Sequence, residues 1–279
     1  MTHGHSVDAV RPLGYAGTWY NADRAQLARQ VDGWLESVVP VAQTPIALVA
    51  PHAGLRYSGH VAAWSYGALR GLPIDTVIMV GPSHYASFRG VAVLRRGSVE
   101  TPWGALPVDT GLAEAVCRQL PGSTDEHRAV HQREHSLELH LPLLARVCPD
   151  VRVVPILTGE PSPDLALALG RALAEVASGR PVFLAASSDL SHYEPRDVAR
   201  RMDGAVLQLL DTLDDAGLAR ALDEEPGHAC GGAPMISVLH AARALGADGG
   251  GVRRYADSGD VTGDTQQVVG YASAVWTRA

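Results

Sequence analysis

Short apolar segments alternate with longer helical patterns along this chain, and that alternation is the strongest constraint on its fold. Two of the segments, Thr76–Val80 and Pro181–Ala186, are apolar throughout, which is typical of strands covered on both faces. Strands of this kind need helices above and below them. The order of elements therefore predicts an α/β fold, with a central, mostly parallel β-sheet flanked by helices on both faces.

The patterns predict five strands and seven helices in one domain. The strands are expected at Ile46–Ala50, Thr76–Val80, Val151–Ile156, Pro181–Ala186 and Val268–Trp276. The helices are expected at Arg24–Val38, His60–Leu69, Gly111–Gln119, His135–Val147, Pro163–Ser178, Asp197–Leu213 and Ala233–Leu245. The glycine-rich stretch Gly246–Gly251 is interpreted as a surface loop. We expect a flexible N-terminal arm over residues 1–12 and a single domain over residues 13–279.

Charge and cysteine content narrow the classes of function. The formal net charge is −7 and no Lys/Arg-rich run occurs, so nucleic acid is not an expected partner. Met1–Asn21 lacks the apolar core of a secretory signal, and no stretch is long and apolar enough to predict a membrane-spanning helix. The three cysteines are widely spaced, which favours a reducing cytosol over a disulfide framework. We therefore expect a cytoplasmic protein.

Three histidines follow three of the predicted strands at short distance. His52 comes two residues after Ala50, His84 four residues after Val80, and His192 six residues after Ala186. In an open α/β sheet, the loops beyond the carboxyl ends of parallel strands form the ligand crevice. Imidazole is a common ligand of zinc, copper, iron and nickel. The spacing therefore predicts a metal site at this edge, to which all three histidines contribute.

Two further residues are candidates for the same site. Asp189 precedes His192 by three positions, so a helical turn would place both on one face. Cys230 lies in a glycine-rich segment just before a predicted helix, a position that favours the thiolate. An inert buried thiol is the alternative interpretation of Cys230, and it suits Cys117 and Cys148 better.

Several other motifs indicate a catalytic or metal-binding role less specifically. His131 and His135 match the H-x-x-E-H zinc-peptidase pattern, although the match does not lie within a long helical pattern. Glu134, His135 and Glu138 are also candidates to line the crevice or to orient a ligand. Ser187 and Ser188 beside Asp189 lack the G-x-S-x-G context of a hydrolase nucleophile.

Candidate substrate contacts occur in two further segments. Arg56 and Tyr57 are candidates to contact an anion or a hydroxyl group, and Trp19 is a candidate wall residue. A surface loop explains Arg56 and Tyr57 equally well, and a core position would account for Trp19.

Eight motifs, in order along nearly the whole chain, resemble the Memo family, which is system protein B of the bacterial AmmeMemoRadiSam grouping. They are Ala16–Tyr20, Pro51–Gly54 with Tyr57–Gly59, Gly81–His84, Thr101–Gly104, Glu134–Glu138, Ser187–Tyr193, Ala229–Gly231 and Val269–Ser273. The resemblance implies a fold similar to the class III extradiol dioxygenases, which are non-haem iron enzymes.

The resemblance also implies separate roles for the candidate residues. His52 and His84 match the two iron-binding histidines, and Cys230 takes the place of the carboxylate ligand. His192 matches the acid/base histidine, with Asp189 beside it. The thiolate is a departure from the dioxygenase pattern, and it admits copper as readily as iron. The expected metals are therefore Fe(II) first, copper second and zinc third.

Two classes of function follow from these expectations. The first is a metal-dependent, dioxygenase-like oxidoreductase that acts on an unknown small molecule with O₂. The second is a non-catalytic binding or adaptor protein that takes an anionic peptide or small ligand in the same crevice. A version of the latter is an accessory subunit that works with AMMECR-like and radical-SAM proteins. Neither class predicts nucleic acid or a membrane as a partner.

Overall fold

The main sheet is built around four parallel strands. The computed structural model describes residues 9–120 and 128–279. In that part of the chain the strands are β1 Val10–Arg11, β2 Thr44–Ala50, β3 Thr76–Pro82, β4 Val91–Val93, β5 Ser98–Thr101, β6 Gly104–Pro107, β7 Arg152–Thr158, β8 Val182–Ser187, β9 His192–Glu194, β10 Gly249–Asp257 and β11 Val268–Arg278. Seven of them follow the spatial order β10-β11-β2-β8-β3-β7-β4, and β9 pairs with β11.

The predicted α/β class and the single domain are confirmed, and the sheet is mixed rather than mostly parallel. Strands β2, β8, β3 and β7 pair in parallel, whereas β4, β9, β10 and β11 pair antiparallel to their neighbours. The antiparallel edge arises because β10 and β11 are joined by a connection of only ten residues, 258–267, which is too short for a crossover.

Helices cover both faces of this sheet. They are α1 Arg24–Glu36, α2 Leu55–Tyr66, α3 Thr110–Gln119, α4 Arg128–Gln132, α5 Leu141–Val147, α6 Pro163–Ala177, α7 Arg196–Asp211, α8 Asp215–Glu224, α9 Gly232–Ala244 and α10 Gly259–Thr262. Helix α2 packs on β2, β10 and β11 together with α1 and α5, and α9 packs on β2, β3 and β8 together with α6 and α8. No helix in the described ranges is both long and apolar enough to span a membrane.

Two predicted segments differ from the structure for reasons of tertiary contact. The predicted helix His135–Val147 begins only at Glu138, as a 3₁₀ turn that continues into α5. The stretch Gly246–Gly251 is not wholly a loop, since its last three residues begin β10. A Cβ atom on Gly250 would lie 2.1 Å from the carbonyl oxygen of Val275, and this glycine has a φ of +92°. Glycine is thus required there by the approach of β11.

A second, three-stranded sheet with the order β1-β5-β6 brings in the N-terminal segment. Residues 1–8 of the predicted arm lie outside the described residues, whereas Val10 and Arg11 pair with Ser98 and Val99 of β5. Arg11 is buried and forms an ion pair with Glu138. A buried guanidinium requires such partners, and they hold this part of the N-terminus on the domain.

Removal of the Arg11 side chain is expected to destabilise the protein strongly. Arg11→Met should lower the free energy of unfolding by about 3–5 kcal/mol, because it leaves the buried Glu138 carboxylate without its counterion. Urea titration monitored by circular dichroism measures this change. Arg89→Met is the control, since the pair of Arg89 with Glu160 spans 3.6 Å and is largely exposed, and it should cost less than about 1 kcal/mol. Equal losses of stability in the two variants would contradict this role of the ion pair between Arg11 and Glu138.

Candidate metal centre

The carboxyl ends of β2, β3 and β8 meet at one edge of the sheet, as the strand-end histidines predicted. The segments that follow these strands line a crevice of about 710 Å³. Its walls are formed by Thr18, Trp19, His52, Ala53, Gly54, Arg56, Tyr57, His84, His135, Asp189, His192, Tyr193, Ser258, Thr262, Val269 and Tyr271. All three predicted histidines are among them.

His52 is held at the bottom of the crevice by contacts on every side. Its backbone N–H donates to Oδ1 of Asp189 at 2.8 Å, its Nδ1 lies 2.7 Å from Oγ of Ser187, and its Nε2 lies 3.2 Å from Sγ of Cys230. The residue is 1 % exposed. Burial, followed by the neighbouring His84, lowers the pKa of His52 well below its ordinary value. The ring is therefore neutral at neutral pH, which is the state that binds a metal.

His84 lies on the crevice wall and is oriented by Glu134. Its backbone N–H donates to one carboxylate oxygen of Glu134 at 2.5 Å, and its Nδ1 donates to the other at 2.9 Å. Burial raises the pKa of Glu134, but the hydrogen bonds from His84 and Ser136 more than offset it and leave the pKa below its ordinary value. The carboxylate is thus ionised and fixes the His84 ring through Nδ1, an arrangement that recurs behind metal-binding histidines.

His135 joins these two histidines, although the sequence predicted a lining or orienting role for it and a metal-binding role only within the H-x-x-E-H pattern. Its ring stacks on His84 with the centroids 4.4 Å apart, and its other face meets Trp19 at 4.4 Å. One ring nitrogen from each of His52, His84 and His135 lies within 4.8 Å of the other two. The Nδ1 atom of His135 is buried and lies 3.3 Å from Oε1 of Glu134 without forming a hydrogen bond. Burial, followed by His84, lowers its pKa to about 4, so His135 joins the cluster as a neutral imidazole.

Cys230 lies beside this cluster but not within the three-nitrogen group. It directly precedes Gly231, the N-cap of α9, as predicted. The expected thiolate is not what the structure favours, because burial and then the Asp189 carboxylate raise the pKa of the Cys230 thiol well above its ordinary value. The Sγ atom lies 3.6 Å from the carbonyl oxygen of Asp189. As a ligand, Cys230 stays a prediction that rests on the family resemblance and on its 3.2 Å contact with His52.

Asp189 and His192 both line the crevice, but no helical turn joins them. His192 begins β9 and pairs with Val269 of β11, because Leu190 and Ser191 exchange backbone hydrogen bonds with Gly270. The Asp189 carboxylate accepts hydrogen bonds from the backbone N–H groups of His52 and Ala53. Burial raises its pKa to about 6. Asp189 therefore anchors the His52 loop from the adjacent strand, in addition to any role in proton transfer.

The predicted substrate contacts Trp19, Arg56 and Tyr57 all line the crevice. Arg56 is exposed at its mouth, and its guanidinium lies 5.8 Å from the Tyr57 ring centre. Sequence analysis missed Tyr193 and Tyr271 as wall residues. Tyr193 directly follows His192 and has a φ of +61°, which is unusual for a residue with a side chain. The position of Tyr193 directly after the predicted site residue His192 was the sequence feature that could have identified it.

Glu138 does not line the crevice but holds the N-terminal segment. Its carboxylate accepts hydrogen bonds from the backbone of Gly14 and Tyr15, from the hydroxyl of Tyr20 and from Arg11. Sequence analysis placed it among residues that contact or orient a ligand. The structure gives it a different task, because all of its partners belong to residues 11–20, the segment that carries Trp19.

The H-x-x-E-H pattern is not a zinc-peptidase site in this structure. The pattern requires both histidines on one helix, but α4 ends at Gln132 and His135 lies outside any helix. His131 is buried, and its Nε2 lies 3.1 Å from the carbonyl oxygen of Ala92. Arg11 donates to the carbonyl oxygens of His131 and Glu134, and so holds the segment in an irregular conformation that turns only His135 toward the crevice.

The buried histidines predict that the metal-free protein loses stability as the pH falls below about 6.5. Burial lowers the pKa values of His52, His135 and His140, the last to about 3. The unfolded chain therefore takes up three protons near pH 6.5 that the folded protein takes up only at lower pH. Each histidine should cost about 1 kcal/mol between pH 6.5 and 5.5. Asp189, whose pKa is raised, takes up a proton in the folded protein over the same range and so offsets part of this cost. The net loss in the free energy of unfolding is about 2 kcal/mol.

Urea unfolding at pH 6.5 and pH 5.5 in the presence of a chelator measures this loss. His140→Gln removes one of the titrating groups and should reduce the difference between the two pH values by about 1 kcal/mol. An unchanged difference in this variant would show that His140 is not held neutral by burial.

The chain is similar to known proteins over nearly its whole length. The family model described as "Memo-like protein" matches residues 11–275. A MEMO1 family protein of Methanothermobacter thermautotrophicus is 34% identical over 275 residues, which cover 94% of this chain and 99% of the relative. A MEMO1 family protein of Pyrobaculum aerophilum is 36% identical over 280 residues, which cover 96% and 99%.

A solved structure is also similar to this one. It is the crystal structure of an uncharacterized protein, JW3007, from Escherichia coli K12, with a TM-score of 0.48 and 17% sequence identity over 82% of this chain and 99% of that chain. The family assignment does not depend on it, because the family model and the relatives above span nearly the whole chain. On the strength of those matches, this chain belongs to the Memo family.

Proposed function

We propose that the protein is a metal-dependent oxidoreductase that acts on a small molecule in the histidine-lined crevice. One observation carries the proposal: His52, His84 and His135 bring three ring nitrogens within 4.8 Å of one another at the wall of a 710 Å³ cavity. His52 and His135 are buried, and two buried imidazoles at one point are costly to assemble without a ligand, because each ring must be desolvated.

The donor set fits a transition metal. His52 and His84 each have Nδ1 in a hydrogen bond within the protein. A ligand would therefore bind at Nε2 of each ring, which in His52 also contacts Sγ of Cys230 at 3.2 Å. The Nδ1 atom of His135 makes no hydrogen bond, although it lies 3.3 Å from Oε1 of Glu134. Neutral imidazole suits iron, copper and zinc, and a thiolate from Cys230 would shift the preference toward iron or copper. A redox metal at this point would supply electron transfer to O₂ or to the bound substrate.

The chain's own residues supply binding and proton transfer around this point. His192 is partly exposed and lines the crevice, so it can exchange protons with solvent and pass them to a bound molecule. Trp19, Tyr57 and Tyr271 provide flat walls, and Arg56 at the mouth offers a cation to an anionic group. Asp189 keeps the His52 loop in place through its two backbone hydrogen bonds.

Metal titration of the full-length apoprotein tests the proposal. Wild type should bind Fe(II) under anaerobic conditions in isothermal titration calorimetry, whereas His52→Ala and His84→Ala should weaken binding at least about 100-fold, because each variant removes a ligand. His60→Ala is the control, since His60 on α2 does not line the crevice. Equal affinity in wild type and in both ligand variants would overturn the proposal.

A second titration identifies the third ligand. Co(II) bound through Cys230 should produce a near-ultraviolet thiolate-to-cobalt charge-transfer band, which a site made of three imidazoles lacks. We expect His135→Ala to weaken Co(II) binding at least about tenfold. If Cys230→Ser instead abolishes both the band and the binding while His135→Ala has no effect, the ligand set is the two histidines and the cysteine that the resemblance implies.

The non-catalytic alternative makes a different prediction in the same experiments. An adaptor that takes an anionic peptide through Arg56 would keep its ligand affinity after chelation of the metal. The AMMECR-like and radical-SAM partners implied by the resemblance stay predictions of that alternative, which pull-down with each candidate would test.

A further inference from the structure

The hydroxyl group of Ser187 is the centre of a buried hydrogen-bond network behind His52. Its Oγ atom lies 2.7 Å from the carbonyl oxygen of Ser136, 2.7 Å from Nδ1 of His52 and 2.8 Å from Nε2 of His140. All four residues are at most 1 % exposed. Because buried polar groups must satisfy one another, the protons in this network can be assigned by counting donors and acceptors.

The count has one solution. The carbonyl oxygen of Ser136 can only accept, so it takes the single hydroxyl proton of Ser187. Ser187 Oγ is then left with lone pairs, and both imidazole nitrogens that face it must donate. His52 is consequently protonated on Nδ1, and His140 is protonated on Nε2.

Tyr66 completes the network on the far side of His140. Its hydroxyl oxygen lies 2.7 Å from Nδ1 of His140, and Tyr66 is itself fully buried. The partners of the His140 ring are two uncharged hydroxyl groups, so the buried ring is neutral. Its Nδ1 therefore carries a lone pair that accepts a hydrogen bond from the Tyr66 hydroxyl. Every polar atom of the hydrogen-bond network between Tyr66 and His52 is then paired.

The result for His52 is a lone pair on Nε2, the nitrogen that faces Cys230 at 3.2 Å. His84 reaches the same state by another route, because its Nδ1 donates to the Glu134 carboxylate, which only accepts. Each ring thus presents its Nε2 atom to the crevice. The Nδ1 atom donates to a hydroxyl group in His52 and to a carboxylate in His84.

We infer that Tyr66, His140 and Ser187 are positioning residues that hold His52 in the Nδ1–H tautomer and so keep its Nε2 atom available to a metal ion. The inference rests on the proposed function, since the tautomer matters only if a ligand binds Nε2. The inference gives a role in metal binding to His140 and Tyr66, which are buried and do not line the crevice.

Nuclear magnetic resonance of the metal-free, full-length protein tests the tautomer directly. Long-range ¹H–¹⁵N correlation spectra of protein labelled with ¹⁵N-histidine distinguish Nδ1–H from Nε2–H rings, and His52→Asn assigns the signals. We expect His52 as Nδ1–H in wild type, a mixture or the Nε2–H form in Ser187→Ala, and recovery in Ser187→Thr, which keeps the hydroxyl. Ser65→Ala is the matched control.

Ser65 is as buried as Ser187, and its hydroxyl donates to the carbonyl oxygen of Val49 and contacts Ser273, with no histidine ring among its partners. Its loss should therefore leave the His52 tautomer unchanged. An Nε2–H ring in wild type, or an unchanged ring in Ser187→Ala, would overturn the inference. If Ser187→Ala does not fold, the wild-type spectrum and Tyr66→Phe decide it, because Tyr66→Phe should release His140 into a mixture of tautomers.

Co(II) titration of the same variants tests the consequence for binding. Ser187→Ala should weaken Co(II) binding by about 10- to 100-fold, and Ser65→Ala by less than about threefold. A shifted tautomer with unchanged affinity would contradict the positioning role. Absence of metal binding in wild type would instead defeat the proposed function, while the spectra would still decide the tautomer.

Discussion

Parallel pairing of β2, β8 and β3 is the constraint on which the site depends. The register places Ala50 opposite Ser187 and Val80 opposite Ala186, so the three strands end at nearly the same height. The loops that begin there carry His52, His84 and His192 into a single crevice. This pairing brings residues from distant parts of the chain together, and the apolar character of these strands stabilises the pairing through burial on both faces.

Within the crevice, the chemistry is set by desolvation and by hydrogen bonds behind the rings. Burial keeps His52 and His135 neutral, while Ser187 and the Glu134 carboxylate hold one nitrogen of His52 and of His84. A neutral imidazole with one nitrogen engaged can face the crevice only with the other. The site is therefore arranged as a group of lone pairs before any ligand arrives, which reduces the free-energy cost of ordering on binding.

The N-terminal segment adds the wall that the sheet does not provide. Glu138 holds residues 11–20 through four partners, one of which is the buried Arg11. Trp19, at the end of that segment, packs on His135 at 4.4 Å. Because Arg11 also binds the carbonyl oxygens of His131 and Glu134, one side chain couples the wall of the crevice to the segment that carries Glu134 and His135.

The sequence by itself determined the alternation of elements and, through it, which histidines reach the edge of the sheet, because hydrophobic periodicity and strand ends are local properties. Tertiary structure decided what those residues do there. His135 joins the cluster from an irregular segment whose carbonyl oxygens accept hydrogen bonds from Arg11, 120 or more positions away in the chain. Cys230 precedes its helix as predicted, yet burial beside Asp189 raises the pKa of its thiol. Charge states and tautomers depend on partners that are distant in the chain, so no local pattern could show them.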